Sequence, residues 1–64
     1  MKKLVIKLGS PSKHLNGGST FETDERWTDE KEFETINQVK KYLKPNYNIY
    51  HVSESGNQFT AYVY

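Results

Sequence analysis

Hydrophobic and polar positions alternate from the start of the chain. Across residues 2 to 8, Leu4, Ile6 and Leu8 fall on one side and Lys3, Val5 and Lys7 on the other. A period of two is that of a strand with one face turned to a core. From Gly9 to Gly18 (GSPSKHLNGG) the alternation gives way to turn chemistry. Pro11 fixes a backbone angle and Asn16, Gly17 and Gly18 tolerate positive φ, so this stretch predicts a loop. A structureless connection reaching from Gly9 to Trp27 exceeds what compact domains use. A second strand is therefore expected over Thr20 to Trp27, where Phe21, Thr23 and Trp27 alternate with Glu22, Asp24 and Arg26.

The period then changes. Phe33, Ile36, Val39 and Leu43 recur at spacings of three and four, the stripe of an amphipathic helix. Thr28 is the expected N-cap, with Asp29, Glu30, Glu32 and Glu34 at the positive end of the dipole and Lys40, Lys41 and Lys44 at the negative end. Pro45 disfavours helical geometry at the residue before it, which sets the helix over Thr28 to Lys44.

Two further strands, Tyr47 to Ser53 and Gln58 to Tyr64, are expected to form a hairpin around Ser55, Gly56 and Asn57. A Ser55-Gly56 loop sets Val52 opposite Phe59 and Tyr50 opposite Ala61. A Gly56-Asn57 loop sets Val52 opposite Ala61 and Tyr50 opposite Val63. Both put Tyr50, Val52, Phe59, Ala61 and Val63 on the helix face, and Tyr47, Ile49, His51, Thr60, Tyr62 and Tyr64 on the other; a three-residue loop reverses the assignment. The sum is a single small α+β domain over residues 1–64, one helix packed on a three- or four-stranded, mainly antiparallel sheet in the order β(β)αββ.

Composition narrows the class. A chain of 64 residues buries about 60% of its unfolded surface, so the core is small, and nine aromatics supply much of its area. With no cysteine there is neither a disulfide framework nor a thiolate metal site. The longest apolar run, Leu4 to Ile6, is far too short for a signal-peptide core or a membrane span. A soluble cytoplasmic protein with no membrane partner is the expectation. The net charge of +1 conceals segregation: residues 2 to 13 hold four lysines and no acid, while seven of the eight acids lie between Glu22 and Glu34.

Candidate chemistry is sparse. A Ser nucleophile would need His14 or His51 as base, and neither sits in a recognisable nucleophile motif. No nucleophile, base and orienter set emerges, so an enzyme is not expected. The two histidines lack the close pairing that places two metal ligands on one helix face, so neither a metal nor a cofactor is expected. The loop GSPSKHLNGGST follows a strand but lacks the Gly-Lys-Ser/Thr entry to a helix that encloses phosphates, and a surface turn accounts for it.

Surfaces remain. One helix covers one sheet face, leaving Lys3, Lys7, Ile49, His51, Tyr62 and Tyr64 on the other as the expected partner-binding residues. Tyrosine gives rigid amphipathic area favoured at protein interfaces, which makes another protein the expected partner and a homodimer through a sheet edge or this face a further one. Lysines beside aromatics also suit single-stranded nucleic acid, the alternative partner. Glu22, Asp24, Glu25, Glu30 and Glu34 form a competing acidic surface able to oppose a basic partner. Eight lysines to one arginine, with five asparagines and five tyrosines, suit an AT-rich genome. They point to a small phage or mobile-element regulator or inhibitor that docks on a host protein.

Overall fold

The N-terminal alternation builds a strand that continues well past its apolar residues. In this computed structural model, which describes residues 1–13 and 17–64, β1 is Lys2–Lys13, β2 Ser19–Phe33, α1 Ile36–Leu43, β3 Ile49–Ser55 and β4 Gln58–Val63. The sheet order is β2-β1-β4-β3. β1 runs antiparallel to β2 but parallel to β4, and β3 and β4 form an antiparallel hairpin. The fold is thus α+β with one helix, and the expected mainly antiparallel sheet is corrected to a mixed, four-stranded one. The two parallel strands, β1 and β4, form its centre.

Three local features differ from expectation, each for a physical reason. The helix is half its expected length. Its N-cap is Thr35, not Thr28, because Thr35 and Gln38 close a capping box: the Thr35 hydroxyl accepts from the Gln38 amide, and the Gln38 side chain accepts from the Thr35 amide. Residues 28–33 instead continue β2, where Thr28 pairs with Val5 and Phe33 with Lys2. No acid lies in the first helical turn, so Asp29, Glu30, Glu32 and Glu34 do not serve the helix dipole. Lys40 and Lys41 do occupy the last turn, and Lys44 is the C-cap.

The expected loop from Gly9 is shorter as well. Ser10 to Lys13 pair with Glu22 to Ser19, extending β1 and β2 as a ribbon beyond the end of β4. β1 has 12 residues and β2 15, and the molecule measures 40 Å along its longest axis. Pro11 is tolerated because this part of β1 has only β2 beside it. His14 and Asn16, read as loop residues, lie outside the described residues; Gly17 does take a positive φ of 82°.

The hairpin uses the Gly56-Asn57 loop, with Gly56 at φ +54° and Asn57 on the ordinary negative side, which fits a type II′ turn. Val52 faces Ala61 as that loop requires. One extra residue, Tyr50, is then inserted between the Ile49–Val63 and His51–Tyr62 pairs. This bulge reverses the parity before it, so Ile49 and Tyr47 pack against the core and Tyr50 leaves it.

Leu4 and Ile6 from β1, Phe33 from β2, Val39 and Leu43 from α1, and Phe59, Ala61 and Val63 from β4 form the buried core. Leu8, Trp27, Ile36, Tyr47, Ile49 and Val52 pack around it. The helix lies over this face, against β3 and β2. Among the described residues no helix is long and apolar enough to cross a membrane.

Candidate docking face on the open side of the sheet

Register assigns the residues of the face away from the helix. Ile6 and Ala61 point into the core, so their strand neighbours Lys7 and Tyr62 point out of it. Lys7 pairs with Arg26 on one side and Tyr62 on the other, and Tyr62 pairs with His51. Arg26, Lys7, Tyr62 and His51 therefore form one row across all four strands. The next row is Thr28, Val5, Thr60 and Ser53, and beyond it lie Glu32, Lys3, Gln58 and Ser55.

The first row carries the aromatic density. The Lys7 ammonium lies 5.2 Å from the centre of the Tyr62 ring, and the His51 ring is 6.2 Å from Tyr62. Phe21 reaches the same place from the ribbon, 5.5 Å from Tyr62 in an edge-on contact and 5.0 Å from Tyr50. The ribbon bends to do this. Asp24 is an extra residue between the Glu25–Leu8 and Thr23–Gly9 pairs, and such a bulge re-aims the strand. Close backbone approach follows, since a Cβ on Gly9 would land on the Glu22 carbonyl. Ser19 fixes the far end, its hydroxyl 3.0 Å from the Tyr50 hydroxyl.

Of the expected partner-binding residues, the structure brings Lys7, His51 and Tyr62 together. Lys3 is exposed two rows away. Tyr64 is exposed at the end of the hairpin, exchanging backbone hydrogen bonds of 2.9 and 3.0 Å with Asn48. Ile49 belongs to the core side and leaves the set. Phe21, Tyr50 and Arg26 lie beside Tyr62 or in its row, and sequence reasoning did not place them there. Only the bulges at Asp24 and Tyr50 bring the two rings together, and alternation alone carries no mark of them.

The acidic residues are distributed differently. Glu22, Asp24, Glu25 and Glu30 are exposed along β2, an edge strand, and Glu34 is exposed between β2 and α1. Charges along a free edge oppose pairing with another chain, which gives these carboxylates a role without any ligand. Asp29 is engaged locally: its carboxylate accepts from the Lys31 amide at 2.8 Å and from the Tyr42 hydroxyl at 2.8 Å. That hydrogen bond, followed by partial desolvation and the carboxylate's charge, raises the Tyr42 pKa above its ordinary value of 10.0. Among the described residues no three His, Asp or Glu side chains converge to hold a metal. No family model, no curated protein and no solved structure matches this chain.

Proposed function

We propose that this domain is a non-catalytic binding module that docks on another protein through the open sheet face centred on Tyr62. The observation that supports this reading most is the cluster of Phe21, Tyr50, Tyr62 and His51 outside the core. Aromatic rings held by one another lose little side-chain entropy on binding, and Tyr is enriched where binding energy concentrates. Tyr50 and His51 are exposed and Tyr62 half-buried, so the cluster offers a pre-formed surface. A small regulator or inhibitor acting on a larger protein needs no more chemistry than this. The lysine-, asparagine- and tyrosine-rich composition supports a phage or mobile-element origin by association only.

A nucleic-acid partner is the second reading, favoured by Arg26, Lys7 and His51 flanking Tyr62. Stacking on bases needs an open ring face, and the Tyr62 ring already has Lys7 over it and Phe21 packed on it. The protein reading is therefore preferred.

Capture from the source cell's lysate, with and without nuclease, tests the choice. The expected result is one protein retained by the wild type and by Tyr42→Ser, lost with the Tyr50→Ser/Tyr62→Ser pair, and indifferent to nuclease. Retention by the ring-substituted protein would contradict the proposed face. Loss on nuclease treatment would favour nucleic acid, and binding of an arbitrary oligonucleotide would then fall steeply with salt.

A further inference from the structure

We infer that Lys7 and Arg26 form a recognition site for a carboxylate on an acidic segment of the partner protein. The inference rests on the open-face reading and names the partner chemistry that face selects. Lys7 and Arg26 are directly opposite on adjacent strands, where Cβ atoms lie about 5 Å apart and like charges destabilise the pairing. The fold supplies no carboxylate against this cost. Among the described residues the ion pair is Lys2 with Glu54, and neither Lys7 nor Arg26 has a carboxylate within ion-pair distance. Acids are nevertheless close in sequence, with Glu25 adjacent to Arg26 in the chain. The two cations line one groove and neither has a carboxylate partner among the described residues.

The surroundings suit a carboxylate. Arg26, the chain's one arginine, presents a planar fork that matches a carboxylate with two parallel hydrogen bonds. Thr28 and Gln58 line the same groove and add hydroxyl and amide donors, and Val5 and Trp27 line it with apolar atoms. The Lys7 ammonium, held over Tyr62, joins this groove to the aromatic cluster, so a partner segment with an acid beside an apolar residue meets both. Asp24 and Glu25 border the adjoining groove with Lys7 and Arg26.

The test is an NMR titration of the isotopically labelled full chain with a ten-residue polyglutamate peptide and, separately, a ten-nucleotide thymidine oligomer. The expected result is saturable movement of the Arg26 Nε–H and Lys7 Nζ signals with the peptide. Arg26→Gln and Lys7→Gln should each weaken it by about two- to fivefold, the scale of exposed ion pairs, while a Lys40→Gln/Lys44→Gln protein binds as wild type. Arg26→Gln should also melt no lower than wild type, because it relieves the cross-strand repulsion; a purely structural arginine would lower it. Three results would overturn the inference: equal movement at Lys40 and Lys44, tighter binding of the oligonucleotide at equal ionic strength, or movement at the pair on concentrating the protein alone, which would make a second copy the occupant. The capture experiment separates the two claims. If the ring-substituted protein still captures its partner, the open-face reading fails; if only the peptide fails to bind, the carboxylate site fails alone.

Discussion

Thr35 and Gln38 satisfy each other's backbone at the start of α1, and an eight-residue helix has few other sources of order. Thr35→Ala is predicted to lower stability by about 1 kcal/mol, the usual worth of an N-cap, measurable as a shifted urea midpoint with unchanged slope. Tyr42 gives a pH prediction. Its folded pKa is raised, chiefly by donating to Asp29, so the folded state holds the phenolic proton more tightly than the unfolded chain. The stabilisation is fully present below pH 10 and is lost as pH climbs from there through the folded value. Asp29→Asn should return the Tyr42 titration toward its ordinary range, seen as an earlier rise in phenolate absorbance. A single residue also decides what was legible in the sequence. Alternation placed Val52, Phe59, Ala61 and Val63 correctly on the core face, because nothing interrupts the register between them and the Gly56-Asn57 turn. It failed for Ile49 and Tyr50, where the one-residue bulge moves each to the opposite side.

At the scale of elements, β1 as far as Leu8 and the hairpin β3–β4 from Val52 onward could be read from period and turn chemistry, because Leu4, Ile6, Val52, Phe59, Ala61 and Val63 all face one core. The boundary between β2 and α1 could not be placed from the apolar stripe. Phe33 sits three residues before Ile36 and so imitates a helical position, yet it reaches the same core from the end of a strand. The Thr35-x-x-Gln38 box was the available signal and marks the true start. Strand direction was not legible either, since side-chain parity is the same in parallel and antiparallel ladders. The ribbon of residues 9–13 and 19–25 depends on the backbone contact at Gly9. Gly9→Ala is predicted to push β1 from β2 there, since the added Cβ meets the Glu22 carbonyl. Nuclear Overhauser contacts from Phe21 to Tyr50 and Tyr62 should disappear while those among Leu4, Ile6 and Phe59 persist; survival of the Phe21 contacts would contradict the proposed bending of the ribbon.

For the whole molecule, eight buried side chains carry the core, and stability on the order of 0.05–0.15 kcal/mol per residue leaves little reserve in so short a chain. Phe59, fully buried at the centre of the sheet, is predicted to cost about 3–5 kcal/mol on change to Ala, enough to abolish most of the cooperative transition followed by circular dichroism. Substitutions on the open face leave this core untouched, so the proposed binding can be tested separately from folding. The charge segregation seen in the sequence resolves spatially into an acidic edge strand beside a central strand rich in lysine, with the cationic and aromatic row crossing all four strands on one side. Hydroxyl-radical footprinting of the protein free and bound to its captured partner tests that side directly, since the reagent labels exposed aromatic rings. Labelling of Tyr50, His51 and Tyr62 is predicted to fall on binding while Tyr42 keeps its reactivity. Unchanged labelling at the three rings, with protection of Tyr42 instead, would contradict the open face as the docking surface.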